Sequence, residues 1–452
     1  MRTGASWAAA FVAALAITWS AALQAQDTTH TIDQGVRVGI TYTAGVRPSI
    51  VVLPARGIDS ALAILSRDLD NSDRFEVINL AQGDAAGPKL PSAAWNSGPN
   101  PTPINYSLYR TLGADYGVEV VPDQSGAVVR LHDLKAGAVR REQKMTLPTP
   151  DTPDFRMSVH RMADEVVRWA TGTPGIAATR VAYVANKRVY RVDGDGADLV
   201  AVTPSTDEAL SPAWSPDGQR LAYTQFVGGH GAIVVVSLGS GARTTVPTTN
   251  RDLNITPSFA PDGKTLAFAR SNEDGTDIYS ADVLAGCCVQ RLTVGRFADN
   301  LSPTYSPDGR RIAFVSTRAG LPQIYVMAAD GTDQELLAPF DYGVTGSSNA
   351  PEWSPDGASV IFHREVSRSP QLFVLDIASH RVRQLTSAGR NEDATWAPDG
   401  RHLAFVSDRS GRKQLWIIDT ETGRIRQLTF AGGVRLPAWS RRLAGTAAGS
   451  TQ

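Results

Sequence analysis

The stretch that decides the fold is Pro212-Ala-Trp214-Ser-Pro-Asp217-Gly218, followed at once by Leu221-Ala-Tyr223. It recurs as Pro257-Ser-Phe259-Ala-Pro-Asp262-Gly263, Pro303-Thr-Tyr305-Ser-Pro-Asp308-Gly309, Pro351-Glu-Trp353-Ser-Pro-Asp356-Gly357 and Thr395-Trp396-Ala-Pro-Asp399-Gly400, each leading into a short apolar run. Successive aspartates lie 45, 46, 48 and 43 residues apart, the length of one four-stranded propeller blade. The corner itself has a mechanical reason. Proline pre-sets φ for the first turn position, aspartate bonds the backbone two residues on, and glycine accepts a positive φ.

Each repeat resolves into four strands. In the fifth they are the Trp396 strand, His402–Ser407, Gln414–Asp419 and Ile425–Thr429, all rich in β-branched or aromatic residues and bounded by Gly, Asp or Pro. The two ends of the repeat region complete the count. Arg180–Val184, Val189–Val192 and Leu199–Thr203 are three strands lacking a first, and Pro437-Ala-Trp439-Ser440 is a first strand lacking three. Joined, they make a sixth blade that closes the ring and leaves no open edge.

Residues 26–173 do not follow the repeat. Strand signals at Ile50–Leu53, Phe75–Ile78, Val118–Val121, Ala127–His132 and Val139–Leu147 interleave with helical patterns at Ile58–Leu69, Ile104–Leu112 and Pro153–Thr171. The last helix stops at Gly172, and a Pro-rich loop spans Gly87–Pro103. The expected architecture is therefore multidomain: a small N-terminal α/β domain, then an all-β six-bladed β-propeller over 176–443, with a tail at 444–452.

Arg2, the apolar run Trp7–Trp19 and the small residues Ser20, Ala21, Ala22 and Ala25 read as a secretory signal peptide over 1–25, cut after Ala25 or Ala22. Lys+Arg total 44 and Asp+Glu 45, which excludes the basic excess of a nucleic-acid binder. The two cysteines, Cys287 and Cys288, are adjacent and cannot build a metal framework. They read as two thiols in a hairpin turn, with a vicinal disulfide as the alternative.

Catalytic signals are thin, with no G-x-S-x-G elbow, H-E-x-x-H or P-loop. His160 reads as a helix cap or core hydrogen-bonder. Asp193-Gly-Asp195-Gly-Ala-Asp198 starts like a calcium loop but lacks the distal glutamate, and it falls where a hairpin turn is due. A peptidase would need a hydrolase domain of about 200 residues, and none is expected. Direct glycan binding through Trp214, Trp353 and Trp396 is the other alternative, although these positions recur as blade framework. No cofactor, metal or small-molecule substrate is expected.

Recognition belongs instead to the loops entering each first strand, which vary in length while the Pro-Asp-Gly turns do not. The first strands line the channel, so these loops surround its mouth. Pro339–Asn349 and Ser387–Asp393 are examples.

Together with Arg67–Phe75, His160–Glu165, Thr179–Val184, Ser407–Gly411, Gln414-Leu-Trp416 and Leu436–Ser440, these features resemble the TolB family, the periplasmic propeller component of the Tol–Pal system, over nearly the whole mature chain. The resemblance implies a monomer in the periplasm that binds the peptidoglycan-associated lipoprotein, Pal, at the channel mouth and reaches the outer membrane through it. The positions that match are Leu253, Asn254 and Ile255; Asp299, Asn300 and Leu301; Ser348, Asn349 and Ala350; and Asn391, Glu392 and Asp393. Leu253 and Leu301 stand where the family has polar His- and Thr-type residues. It further implies that the mature N-terminus, here Gln26, Asp27, Thr28, Thr29, His30, Thr31, Ile32, Asp33, Gln34, Gly35, Val36 and Arg37, engages TolA of the inner membrane.

Overall fold

In a computed structural model, which describes residues 47–80, 104–124, 126–247, 253–273, 275–340 and 346–443, the first part of the chain is a mixed sheet with helices on both faces. The signal peptide, the segment Gln26–Arg37, the Pro-rich loop within 81–103, part of the 339–349 loop and the tail at 444–452 lie outside the described residues. Strands β1 (Ser49–Val52), β2 (Glu76–Ile78), β3 (Tyr116–Asp123), β4 (Gly126–Asp133) and β5 (Ala138–Met145) run in the order β2-β1-β3-β4-β5. β1 is parallel to both neighbours, and β3, β4 and β5 form an antiparallel meander.

Side-chain alternation divides the core. Ile50, Val118, Val120, Val129 and Leu131 pack under α1 (Asp59–Asn71) and α3 (Phe155–Thr171), while Val51, Leu53 and Leu134 face Tyr109 of the short α2 (Tyr106–Thr111). α3 buries Val159, Met162, Ala163, Val166 and Val167, and stops where Gly172 turns left-handed at φ 84°.

Beyond it stand six four-stranded antiparallel sheets. Blades 1 to 5 begin with the inner strands Glu208–Trp214, Asn254–Phe259, Asn300–Tyr305, Ser348–Trp353 and Asn391–Trp396. Blade 6 is the split one: Arg435–Trp439 pairs with Arg180–Ala185, which continues into Arg188–Asp193 and Val200–Ala201. Apolar clusters fill the gaps between neighbouring blades; one joins Phe268 and Val283 of blade 2 to Ile233 and Val235 of blade 1. At each Pro-Asp-Gly corner the glycine N–H bonds the carbonyl three residues back, as from Gly309 to Ser306 at 2.8 Å. In blades 1, 3 and 4 the aspartate also accepts from the Ser215, Ser306 or Ser354 hydroxyl.

The cysteines differ from the reading of free thiols. Cys287 and Cys288 are disulfide-bonded to each other at the start of the outer strand of blade 2, with Cys288 at φ 66°. Among the described residues no helix is long and apolar enough to cross a membrane.

Candidate protein-binding face

Every inner strand carries the same irregularity. Ser211, Thr256, Ser302, Ala350, Asp393 and Leu436 all adopt a left-handed backbone, with φ between 50° and 52°. Each coincides with a register shift against the second strand of its blade. A bulge of this kind kinks a strand and re-aims its side chains. Here six bulges form a ring around the channel. The ring is linked between blades: the Ser302 N–H donates to the Thr256 hydroxyl at 3.2 Å, and the Leu436 N–H to the Asp393 carboxylate at 3.4 Å.

All six bulge residues line a channel cavity of about 290 Å³, together with prolines, small polar residues, Glu352 and Arg441. Glu352 accepts from the Trp396 N–H at 3.0 Å and the Thr395 hydroxyl at 3.1 Å. Burial outweighs those bonds and raises its pKa to about 7. Asp393 and His363 meet beside it, where the Asp393 N–H donates to His363 Nδ1 at 3.2 Å. Burial disfavours charge on both, pushing the carboxyl up and the imidazole down.

The twelve mouth residues expected from the sequence divide into two sets. Asn254, Asn300, Ser348 and Asn391 open their strands but are buried, each exposed 1% or less. They are struts. Asn300 donates to the Thr276 carbonyl and the Asp277 carboxylate and accepts from Arg318. Asn391 donates to Gln371 and the Ala388 carbonyl and accepts from Arg409, while Ser348 accepts from Arg364 and Asn254 holds the Gly231 carbonyl. Their side chains are not available to a partner at the surface. Leu253, Ile255, Leu301, Asn349, Ala350, Glu392 and Asp393 are partly exposed, and Asp299 is exposed. These eight remain on the mouth.

The second-to-third-strand turns share that face. They and the entering loops display Val227, Val294, Phe297, Leu321 and Phe430; Phe297 is 92% and Val294 77% exposed. Of the tryptophans weighed for glycan binding, Trp353 and Trp396 are buried between blades, whereas Trp214 is partly exposed on the wall of the channel cavity, its indole N–H donating to the Ala438 carbonyl at 2.9 Å. Trp353 lies under the Arg311 guanidinium at 4.6 Å, so it offers no platform for a sugar.

The opposite face is occupied by the α/β domain, through ion pairs that periodicity does not reveal. His160 of α3 bonds Asp68 of α1 at 2.6 Å and faces Asp193 of blade 6 at 3.6 Å. Burial opposes its charge, but bonds to Asp193 and Asp68 and the nearby Asp195 prevail and hold its pKa at about 10. Arg156 and Arg67 both bind Asp195. The hairpin turn expected over Asp193–Asp198 is present, and its acids are also anchors. Nearby, His402 spans Asp399 at 2.7 Å and Asp73 at 3.2 Å, and Arg424 binds Asp73 at 2.6 Å. Asp164 accepts from the Ala177 and Ala178 N–H groups at the hinge and pairs with Arg442. Two of these groupings, Asp68-His160-Asp195 and Asp73-His402-Asp419, have ligand atoms close enough for a metal. Arginines already bind Asp195, Asp73 and Asp419, so the geometry is that of ion pairing.

The ring and its closing blade have counterparts among known proteins. A crystal structure of TolB from Acinetobacter baumannii is similar, with TM-score 0.73 and 25% identity over 88% of this chain and 97% of that one. The Tol-Pal system protein TolB of Methylococcus capsulatus is 33% identical over 192 residues, covering 40% of this chain and 42% of its own. That of Actinobacillus succinogenes is 33% identical over 227 residues, covering 46% and 48%. These matches take in about half the length of the curated relatives. The family model described as the TolB beta propeller domain matches residues 167–342 and 342–445, which takes in all six blades, and the chain belongs to that family.

Proposed function

We propose that the protein is a non-enzymatic interaction component of the Tol–Pal system in the periplasm. It carries Pal on the channel mouth and engages TolA through Gln26–Arg37, and so serves outer-membrane integrity and constriction at cell division. The observation that carries this reading is the division of the propeller's two faces. One is covered by the chain's own α/β domain, whereas the other exposes variable loops, apolar side chains and the mouth of a rigid channel. Recognition elements on an unoccupied face of a rigid scaffold are what a docking partner requires. The channel itself is lined by prolines, small polar groups, aromatic side chains, Glu352 and Arg441.

The test is affinity purification from envelope extract followed by calorimetry with the organism's own Pal. Pal and TolA should co-purify, and deletion of Gln26–Arg37 should remove TolA alone. Asn349→Lys should weaken Pal binding without lowering the melting temperature. Unchanged Pal affinity in that variant would move the interface off the mouth.

A further inference from the structure

Between blades 5 and 6 the mouth face opens into a cleft of about 610 Å³, lined by Asn186, Lys187, Arg412, Lys413, Gly433, Val434 and Arg435. Four of these seven residues are cationic, and they come from three separate segments. Asn186 and Lys187 form the left-handed turn after Arg180–Ala185, at φ 48° and 62°. Arg412 and Lys413 belong to the corresponding turn of blade 5, and Gly433–Arg435 is the loop entering the closing strand. The walls are tied to the scaffold, since the Ala209 N–H bonds the Lys187 carbonyl at 2.6 Å and the Val434 N–H bonds that of Lys413 at 3.4 Å. Arg412 lies across Gly432, where a Cβ would meet its Cδ at 3.4 Å.

The charges are unequally satisfied. Lys187 pairs with Glu208 and Lys413 with Glu392. Among the described residues no carboxylate pairs with Arg412 or Arg435, and both side chains are exposed. The cleft therefore keeps two guanidinium groups in excess. On the turn face the corresponding arginines (Arg67, Arg156, Arg424 and Arg442) all have carboxylate partners.

We infer that this cleft receives an acidic segment of the protein that docks on the mouth, with carboxylates bound by Arg412 and Arg435. The inference rests on the mouth reading above, and it adds the chemistry of a second contact. Arg435 directly precedes Leu436, which lines the channel, and the Lys413 partner Glu392 directly precedes Asp393, which does too. A partner seated on the mouth thus reaches the cleft without a gap. Guanidinium groups match carboxylates in two-point geometry. Their exposure in an open cleft suits them to steering a charged partner during approach.

The experiment is calorimetric titration of the full-length mature protein with the soluble domain of Pal from the same organism, at several salt concentrations. The double variant R412E/R435E should keep its melting temperature, lose about tenfold or more in affinity and flatten the salt dependence. R412K/R435K should keep the salt dependence but bind less tightly than the unaltered protein, because an ammonium cannot make the two-point contact. Unchanged affinity and salt slope in R412E/R435E, while Asn349→Lys still weakens binding, would overturn the cleft and leave the mouth standing. Failure of the unaltered protein to bind would overturn both. If R412E/R435E instead loses sedimentation with purified sacculi at full Pal affinity, the occupant is the glycan's carboxylates and the protein-segment assignment is wrong.

Discussion

The two faces of the propeller use the same residue types in opposite ways. On the face holding the α/β domain, aspartates, arginines and histidines are paired, and the central carboxylates and imidazoles are buried, as with His160 between Asp68 and Asp193. On the mouth face, Arg412 and Arg435 are exposed without a carboxylate partner among the described residues, and Phe297 stands almost fully in solvent. A closed ionic interface contributes when every charge is matched, and becomes a liability when one partner is removed. An open one contributes nothing to the fold and is held for something outside it. The difference separates what fixes the domain from what is available to a second molecule.

The comparison is broken most severely at the paired face. Asp73→Ala leaves the buried His402 and the Arg424 guanidinium without their shared carboxylate, a change expected to cost about 3–5 kcal/mol. Calorimetry should show an earlier, separate transition of the α/β domain. The pH dependence has a definite sign. His160 is raised from 6.5 to about 10, so its contribution is complete below pH 6.5 and is lost as pH climbs through about 10. Tryptophan fluorescence should report the domain loosening at that alkaline limit.

A smaller effect separates buried from exposed positions within the mouth itself. Asn300→Ala removes bonds to Thr276, Asp277 and Arg318, and should cost about 2 kcal/mol in urea unfolding. Asn349→Ala, partly exposed, should stay within about 0.5 kcal/mol. Equal losses would mean that Asn300 is not a strut.

A pH-dependent effect arises at Glu352, on the channel wall between the faces. Its pKa is raised by burial from 4.5 to about 7, so the protonated form is favoured in the fold and stability falls as pH rises between those values. Glu352→Gln should flatten that part of the profile and leave the protein relatively more stable at pH 8 than at pH 5. A parallel profile for both proteins would place the titration elsewhere.

Local signals were enough to read the ring. A 45-residue recurrence with Pro-Asp-Gly corners sets strand number per blade, and the incomplete ends at Arg180 and Trp439 require a shared sixth blade. Gly172 marked the end of α3 because a left-handed cap favours glycine. The bulge ring was harder to see, because its positions mostly precede proline, which ordinarily favours extended backbone. Only the pairing register exposes the shift. Asn300 and Asn391 have the composition of surface loops, and what buries them is the neighbouring blade, some 20 residues earlier at Asp277 and Gln371. The anchors Asp193 and Asp195 satisfy a turn reading completely, so nothing in their own segment points to His160 or Arg156. The cleft draws on residues near 187, 412 and 435, and no window of sequence contains all three.

The split blade also imposes an order of events in time. Strand Arg180–Ala185 acquires its inner neighbour only from Arg435–Trp439, and the Arg180 N–H finds the Ser440 hydroxyl 260 residues later. A chain emerging from its N-terminus can complete blades 1 to 5 while one edge of Arg180–Ala185 stays bare, and a bare edge is a site for mispairing with other chains. The last strand made is therefore the latch of the whole ring, and until it arrives the molecule is an open arc.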